Sequence, residues 1–111
     1  MNTVVEFKLF MRLAPGRLSE AERKSLIDEV ASDPAIGDLI PGAGGARKLR
    51  VATAGRGKRG GDRAIYFNHC EVCPVYLITV YSKNEKATLT AAEVNTIFKV
   101  CKELSDAHQE D

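Results

Sequence analysis

The chain has 111 residues, 44% of them hydrophobic and 28% charged, with a formal net charge of +1. That length suits one domain around one modest core, and this composition excludes a disordered or fibrous chain. No apolar run approaches the roughly 20 residues that span a bilayer, and Glu6 and Lys8 interrupt any leader-like stretch, so a cytoplasmic protein without membrane contact is expected.

Residues 4–10 mix β-branched and aromatic side chains and predict a first strand. Pro15-Gly16 breaks whatever follows it. Ser19 and Glu22 have the spacing of a capping box, and Leu26, Ile27, Val30 and Ala31 form an apolar stripe behind it, which predicts a helix over 19–32. Residues 37–45 are glycine-rich, contain Pro41 and carry no periodicity, as a loop does. Residues 46–52 alternate, with Lys48 and Arg50 on one face and Leu49 and Val51 on the other, the pattern of a half-buried strand. A second loop over 53–61 carries Gly55, Gly57, Gly60 and Gly61. Strands over 63–68 and 75–81 flank a short connection and predict an antiparallel hairpin. Thr90 and Glu93 repeat the capping box ahead of Val94, Ile97, Phe98, Cys101 and Leu104 at helical spacing. The polar, acidic tail from Ala107 is expected to fray. The order β-α-loop-β-β-β-α predicts a single α+β domain over 1–111, a small antiparallel sheet of about four strands with helices packed on one side.

The near-neutral total conceals a polarised chain. Between Arg47 and Arg63 stand seven bases (Arg47, Lys48, Arg50, Arg56, Lys58, Arg59, Arg63) and one acid, Asp62, giving +6; a total of +1 leaves −5 for the rest. A patch of one sign is either a solvated loop or the footprint of a polyanion, and its purity in one sign favours the polyanion, with RNA foremost. Lys48 and Arg50 sit side by side, about 7 Å apart, on one strand face. Arg56, Lys58 and Arg59 follow on the loop, whose glycines let backbone approach a phosphate. The letters Gly55-Arg56-Gly57-Lys58-Arg59-Gly60 match a dinucleotide fingerprint, but a strand follows where that motif needs a helix. A second polar cluster, Tyr81-Ser82-Lys83-Asn84-Glu85-Lys86, leaves the last strand. Tyr81, Lys83 and Lys86 there join the basic face, where a tyrosine or lysine of depressed pKa serves proton transfer. Cys70-x-x-Cys73 with His69 supplies too few ligands for a structural zinc, since Cys101 belongs to the buried helical stripe; no metal site is assigned. Three cysteines without framework spacing suit a reducing compartment, and His69 and His108 read as surface histidines.

Three blocks carry a family resemblance: the run from Gly37 to Arg50 (GDLIPGAGGARKLR), the run from Gly55 to Phe67 (GRGKRGGDRAIYF) and the run from Tyr76 to Lys86 (YLITVYSKNEK). In order and approximate spacing they resemble RelE/HigB toxins of bacterial type II toxin–antitoxin modules, in the HigB-like branch. The resemblance implies a RelE-like, microbial ribonuclease-like α+β fold and a toxin that enters the ribosomal A site and cuts mRNA there, inhibiting translation. Such an mRNA interferase uses no metal or cofactor; the ribose 2′-hydroxyl attacks the adjacent phosphorus. Carried over by position, Lys48, Arg50 and Arg63 stand at the scissile phosphate. Tyr81 and Lys83 complete the catalytic set, while Arg47, Arg56, Lys58, Arg59 and Lys86 contact RNA. This chain departs from the RelE branch at Asn84, where a further arginine aligns, and Ala87-Thr88-Leu89-Thr90 lacks that branch's late tyrosine. The implied partners are the ribosome with its mRNA and a cognate antitoxin, a helix-turn-helix protein of HigA type through which operator DNA is reached indirectly. A non-catalytic RNA- or ribosome-binding module using the same face is the alternative.

Overall fold

The computed structural model describes residues 1–51, 61–83, 85–86 and 88–109. Strand β1 (Val4–Glu6) runs into helix α1 (Lys8–Leu13), a 3-10 turn at Ala14–Gly16 and helix α2 (Glu20–Ser32). Strands β2 (Asp38–Leu39), β3 (Arg47–Val51), β4 (Asp62–Asn68) and β5 (Val75–Ser82) follow, and helix α3 (Ala91–Gln109) ends the chain. The sheet order is β1-β5-β4-β3-β2, antiparallel throughout except for β1 and β5. Those two are parallel because they are joined by a long crossover rather than a hairpin.

The α+β class stands, with differences in detail: five strands instead of about four, one parallel pair, and helices on both faces. Alternation along β4 explains the last. Ala64 and Tyr66 point to one side, beneath Phe10, Ala14, Leu26 and Val30 of the α1–α2 segment. Ile65 and Phe67 point to the other, beneath Ile97 and Cys101 of α3. A strand buried on both faces reads as a continuous apolar run, and Ala64-Ile65-Tyr66-Phe67 is one. β5 accommodates the same demand with a register shift: Ile65 faces Thr79 but Tyr66 faces Leu77, leaving Ile78 as the extra residue of a bulge.

The expected first strand is cut short. Lys8 to Leu13 is helical although its N-cap, Phe7, makes no side-chain capping bond. What holds it is burial of Phe10 and Ala14, both fully enclosed and four residues apart. The α2 cap is as expected: the Glu22 N–H donates to Ser19 Oγ (3.0 Å) and the Ser19 N–H to Glu22 Oε1 (2.9 Å). At α3 the Glu93 N–H donates to Thr90 Oγ1 (3.1 Å) and the Thr90 N–H to Glu93 Oε1 (2.8 Å). Helix α3 continues to Gln109, and His108 Nε2 lies 2.9 Å from the Tyr76 hydroxyl. His108 also stacks on His69, with ring centroids 5.8 Å apart, so both histidines are half-buried packing groups. Cys70 and Cys73 are joined as a disulfide across the β4–β5 turn, a pairing not expected from cysteines without framework spacing, and Cys101 is fully buried. No helix among the described residues is long and apolar enough to cross a membrane.

The glycine-rich stretch before β3 is a docking surface as well as a loop. A Cβ at Gly44 would stand 3.1 Å from Phe98 Cδ1 and 3.3 Å from Cys101 Cβ, so its absence lets α3 settle there. Asp38 and Leu39 within that stretch add to the outer edge of β3.

Candidate active site

Cross-strand register gathers the predicted residues into a row. Arg50 on β3 is opposite Arg63 on β4, and Arg63 is opposite Tyr81 on β5. All three project from the face that α3 covers, as does Lys48, one pleat along and opposite Ile65. Arg50 is exposed; Lys48 and Arg63 are half-buried. Gly61, with φ of 63°, lies at the head of the row: a Cβ there would stand 3.8 Å from both Arg50 Nε and Arg63 Nη1. Two guanidinium groups thus approach one point. An anion placed between two such groups accepts charge-assisted hydrogen bonds from both.

Tyr81 forms the inner end of the row and is only 8% exposed. Burial pushes its phenol above the ordinary value, with Arg63 and Lys86 opposing that rise. The depressed tyrosine pKa anticipated from the surrounding cations is therefore not what the structure gives, because desolvation of the phenolate outweighs the two positive charges. Tyr81 is a neutral O–H, suited to giving a proton rather than taking one.

The segment after β5 folds back over this phenol. The N–H groups of Glu85 and Lys86 both donate to the Ser82 carbonyl (3.0 and 3.2 Å), and Arg17 pairs with Glu85 at 2.7 Å. That turn places the Lys86 ammonium 5.8 Å from the Tyr81 ring centroid, where it is also paired with Glu93 of α3. Lys83 is exposed, and its N–H donates to the Gly61 carbonyl (3.1 Å), tying the end of β5 to the glycine between the two arginines. Arg47 is not brought to this face. It lies opposite Tyr66, and its guanidinium donates to the carbonyls of Gly37 (2.7 Å) and Ala35 (3.3 Å). Arg56, Lys58, Arg59 and Asn84 lie outside the described residues.

Two features escape a reading of the sequence. Glu93 presents itself as a capping residue, and its second oxygen is free of that duty and holds Lys86. A cleft of about 450 Å³ opens between β5 and α3, with Tyr81, Lys86 and Glu93 on its wall; nothing local in the sequence marks it, because its two sides are more than ten residues apart.

A family model described as the RelE toxin of the RelE/RelB toxin–antitoxin system matches residues 3–111. Among solved structures, E. coli toxin RelE in the free state, carrying two arginine-to-alanine substitutions, is similar with a TM-score of 0.60 and 18% identity. That match covers 85% of this chain and 94% of the other. At such identity the likeness is one of fold.

Proposed function

Because the chain belongs to the RelE toxin family of toxin–antitoxin systems, we propose that it is a ribosome-dependent mRNA interferase that cleaves mRNA in the A site. The observation that supports this most is the cross-strand row Arg50–Arg63–Tyr81, two cations and a neutral phenol on one rigid sheet face. Phosphodiester cleavage by the neighbouring 2′-hydroxyl needs charge neutralisation at the phosphoryl oxygens and a proton for the departing oxygen. In this reading Arg50 and Arg63 clamp the non-bridging oxygens, and Lys48 holds the adjoining backbone. The 2′-oxygen forms a bond to phosphorus as its proton passes to a base, and the bond from phosphorus to the 5′-oxygen breaks. Tyr81 protonates that 5′-oxygen, leaving a 2′,3′-cyclic phosphate and a 5′-hydroxyl. No metal enters the scheme. Lys83, at the rim, and Arg56, Lys58 and Arg59 track the RNA backbone.

The same reading places the protein in the cytoplasm with the ribosome, in the HigB-like branch, and neutralised by a helix-turn-helix antitoxin of HigA type that binds operator DNA. It rests on the three sequence blocks that resemble that branch. The test is Arg63→Ala in a translation extract. Loss of one preorganised charge at the phosphoryl oxygens lowers the rate of mRNA cleavage about 10²–10³-fold with the fold retained. Wild-type protein that binds ribosomes and leaves the mRNA intact defeats the proposal in favour of a non-catalytic binding module.

A further inference from the structure

The cleft beside the arginine row has a chemistry of its own. Its wall on the sheet side includes Ile65, Ile78, Thr79 and Tyr81, with Phe7 and Leu9 at the β1 edge; Ala92, Thr96 and Ile97 of α3 face them. Its volume of about 450 Å³ is within the range that takes a small organic ligand. The interior is mainly apolar, with an aromatic ring and the hydroxyls of Thr79 and Thr96 among its polar groups. Its rim is cationic and acidic at once, since Lys86 stands over Tyr81 and is paired with Glu93. Tyr81 belongs to both places: its ring lines the cleft, and its phenol feels the charge of Arg63.

We infer that this cleft is a nucleobase subsite, receiving the base of the nucleotide whose 3′-phosphate is held by Arg50 and Arg63. Charge complementarity argues for that occupant. A nucleotide is a base with apolar faces and polar edges, joined through its sugar to an anion, and the protein offers an apolar slot with hydroxyls beside a row that holds two guanidiniums, the two joined at Tyr81. Base–aromatic contacts tolerate every base, so discrimination falls to groups that reach base edges: the hydroxyl of Thr79 and the hydroxyl oxygen of Thr96, which accepts while its proton is donated to the Ala92 carbonyl (3.0 Å). Thr79 and Thr96 are then specificity-determining residues. The inference rests on the proposed RNA substrate, yet it is testable without ribosomes or cleavage.

The experiment is an NMR titration of the whole protein with inorganic phosphate, with nucleoside 3′-monophosphates of all four bases, and with an apolar peptide from the cognate antitoxin. Phosphate should move the amides of Arg50 and Arg63. A 3′-mononucleotide should also move Thr79, Leu89 and Thr96, and should bind about tenfold more tightly than phosphate, as one stacked base predicts. Ala92→Phe, on the exposed side of α3, should fill the slot and return mononucleotide affinity to that of phosphate; Thr96→Leu should do the same with less added bulk. Mononucleotides that bind no better than phosphate, or cleft amides that respond to the peptide alone, overturn the inference. Mononucleotide binding in a protein that cleaves no mRNA would sink the proposed function and leave the subsite standing.

Discussion

Tyr66→Phe tests how the sheet separates stability from chemistry. The Tyr66 side chain is fully enclosed on the α2-facing side of β4. Its hydroxyl donates to the Pro34 carbonyl (2.8 Å) and accepts from the Gly37 N–H (2.8 Å), pinning the turn between α2 and β2. Phenylalanine keeps the ring and removes one oxygen, so the core suffers little loss of contact. Two backbone groups are orphaned instead. Gly37 is buried, and its N–H bears a desolvation penalty of about 2 kcal/mol; the Pro34 carbonyl, nearer the surface, adds about 1 kcal/mol. The sum is a loss of about 3 kcal/mol. With an m value of about 2 kcal/mol/M for a chain of this size, the urea midpoint should fall by about 1.5 M with unchanged slope. Phosphate binding by Arg50 and Arg63 should be unaltered, because those residues project from the opposite face. A midpoint shift below about 0.25 M would refute the reasoning, by showing that the turn satisfies both groups without Tyr66.

Three further outcomes follow from the same geometry. The Cys101 thiol, pushed up to about 11 by burial from an ordinary 9.0, stays neutral in the folded chain while the unfolded chain ionises above pH 9. The unfolded state then binds fewer protons, so stability should fall by about 1.4 kcal/mol per pH unit between pH 9 and 11. Cys101→Ala should be about 1 kcal/mol less stable at neutral pH and lose stability less steeply over that window, read by denaturant titration at each pH. Gly61→Ala forces a side chain into the left-handed region (φ 63°) and should cost about 1 kcal/mol in a thermal melt. It should also weaken phosphate binding, since the methyl group enters the space between Arg50 and Arg63; affinity equal to the parent's would show that the anion sits elsewhere. Ser19→Ala removes one half of the α2 capping box and should cost about 1 kcal/mol with no change in mRNA cleavage.

Local chemistry was legible and long-range geometry was not. Both capping boxes are statements about residues three apart, and both are present. The β4–β5 hairpin follows from strand patterns on either side of a short turn, and Lys48 and Arg50 share a face because alternation requires it. Helix α1 reads as strand because the β-branched and aromatic residues Val4, Val5, Phe7 and Phe10 lead into it and its start carries no capping side chain. Its helicity comes from the enclosure of Phe10 and Ala14 against the sheet, a tertiary effect that outweighs propensity. The parallel pairing of β1 with β5 joins segments about 70 residues apart and has no local signature.

The site is a sharper case of the same division. Arg63 and Tyr81 are obvious residues in the sequence, but their adjacency depends on the register of β4 against β5. That register shifts by one between Ile65 and Tyr66, and a one-residue slip in a strand exchanges its two faces. Were Ile78 paired in a regular ladder, either Leu77 would leave the α2-side core or Tyr81 would leave the arginine row. The bulge lets one strand meet both demands: an apolar partner for Tyr66 below and a phenol beside Arg63 above. The row is thus a product of core packing on the opposite side of the sheet. Deleting Ile78, the extra residue, should therefore leave phosphate binding at Arg63 intact in protein that still folds, since Thr79 would follow Leu77 directly and both pairings, Thr79 with Ile65 and Leu77 with Tyr66, would be kept; loss of binding would show that the bulge itself shapes the row.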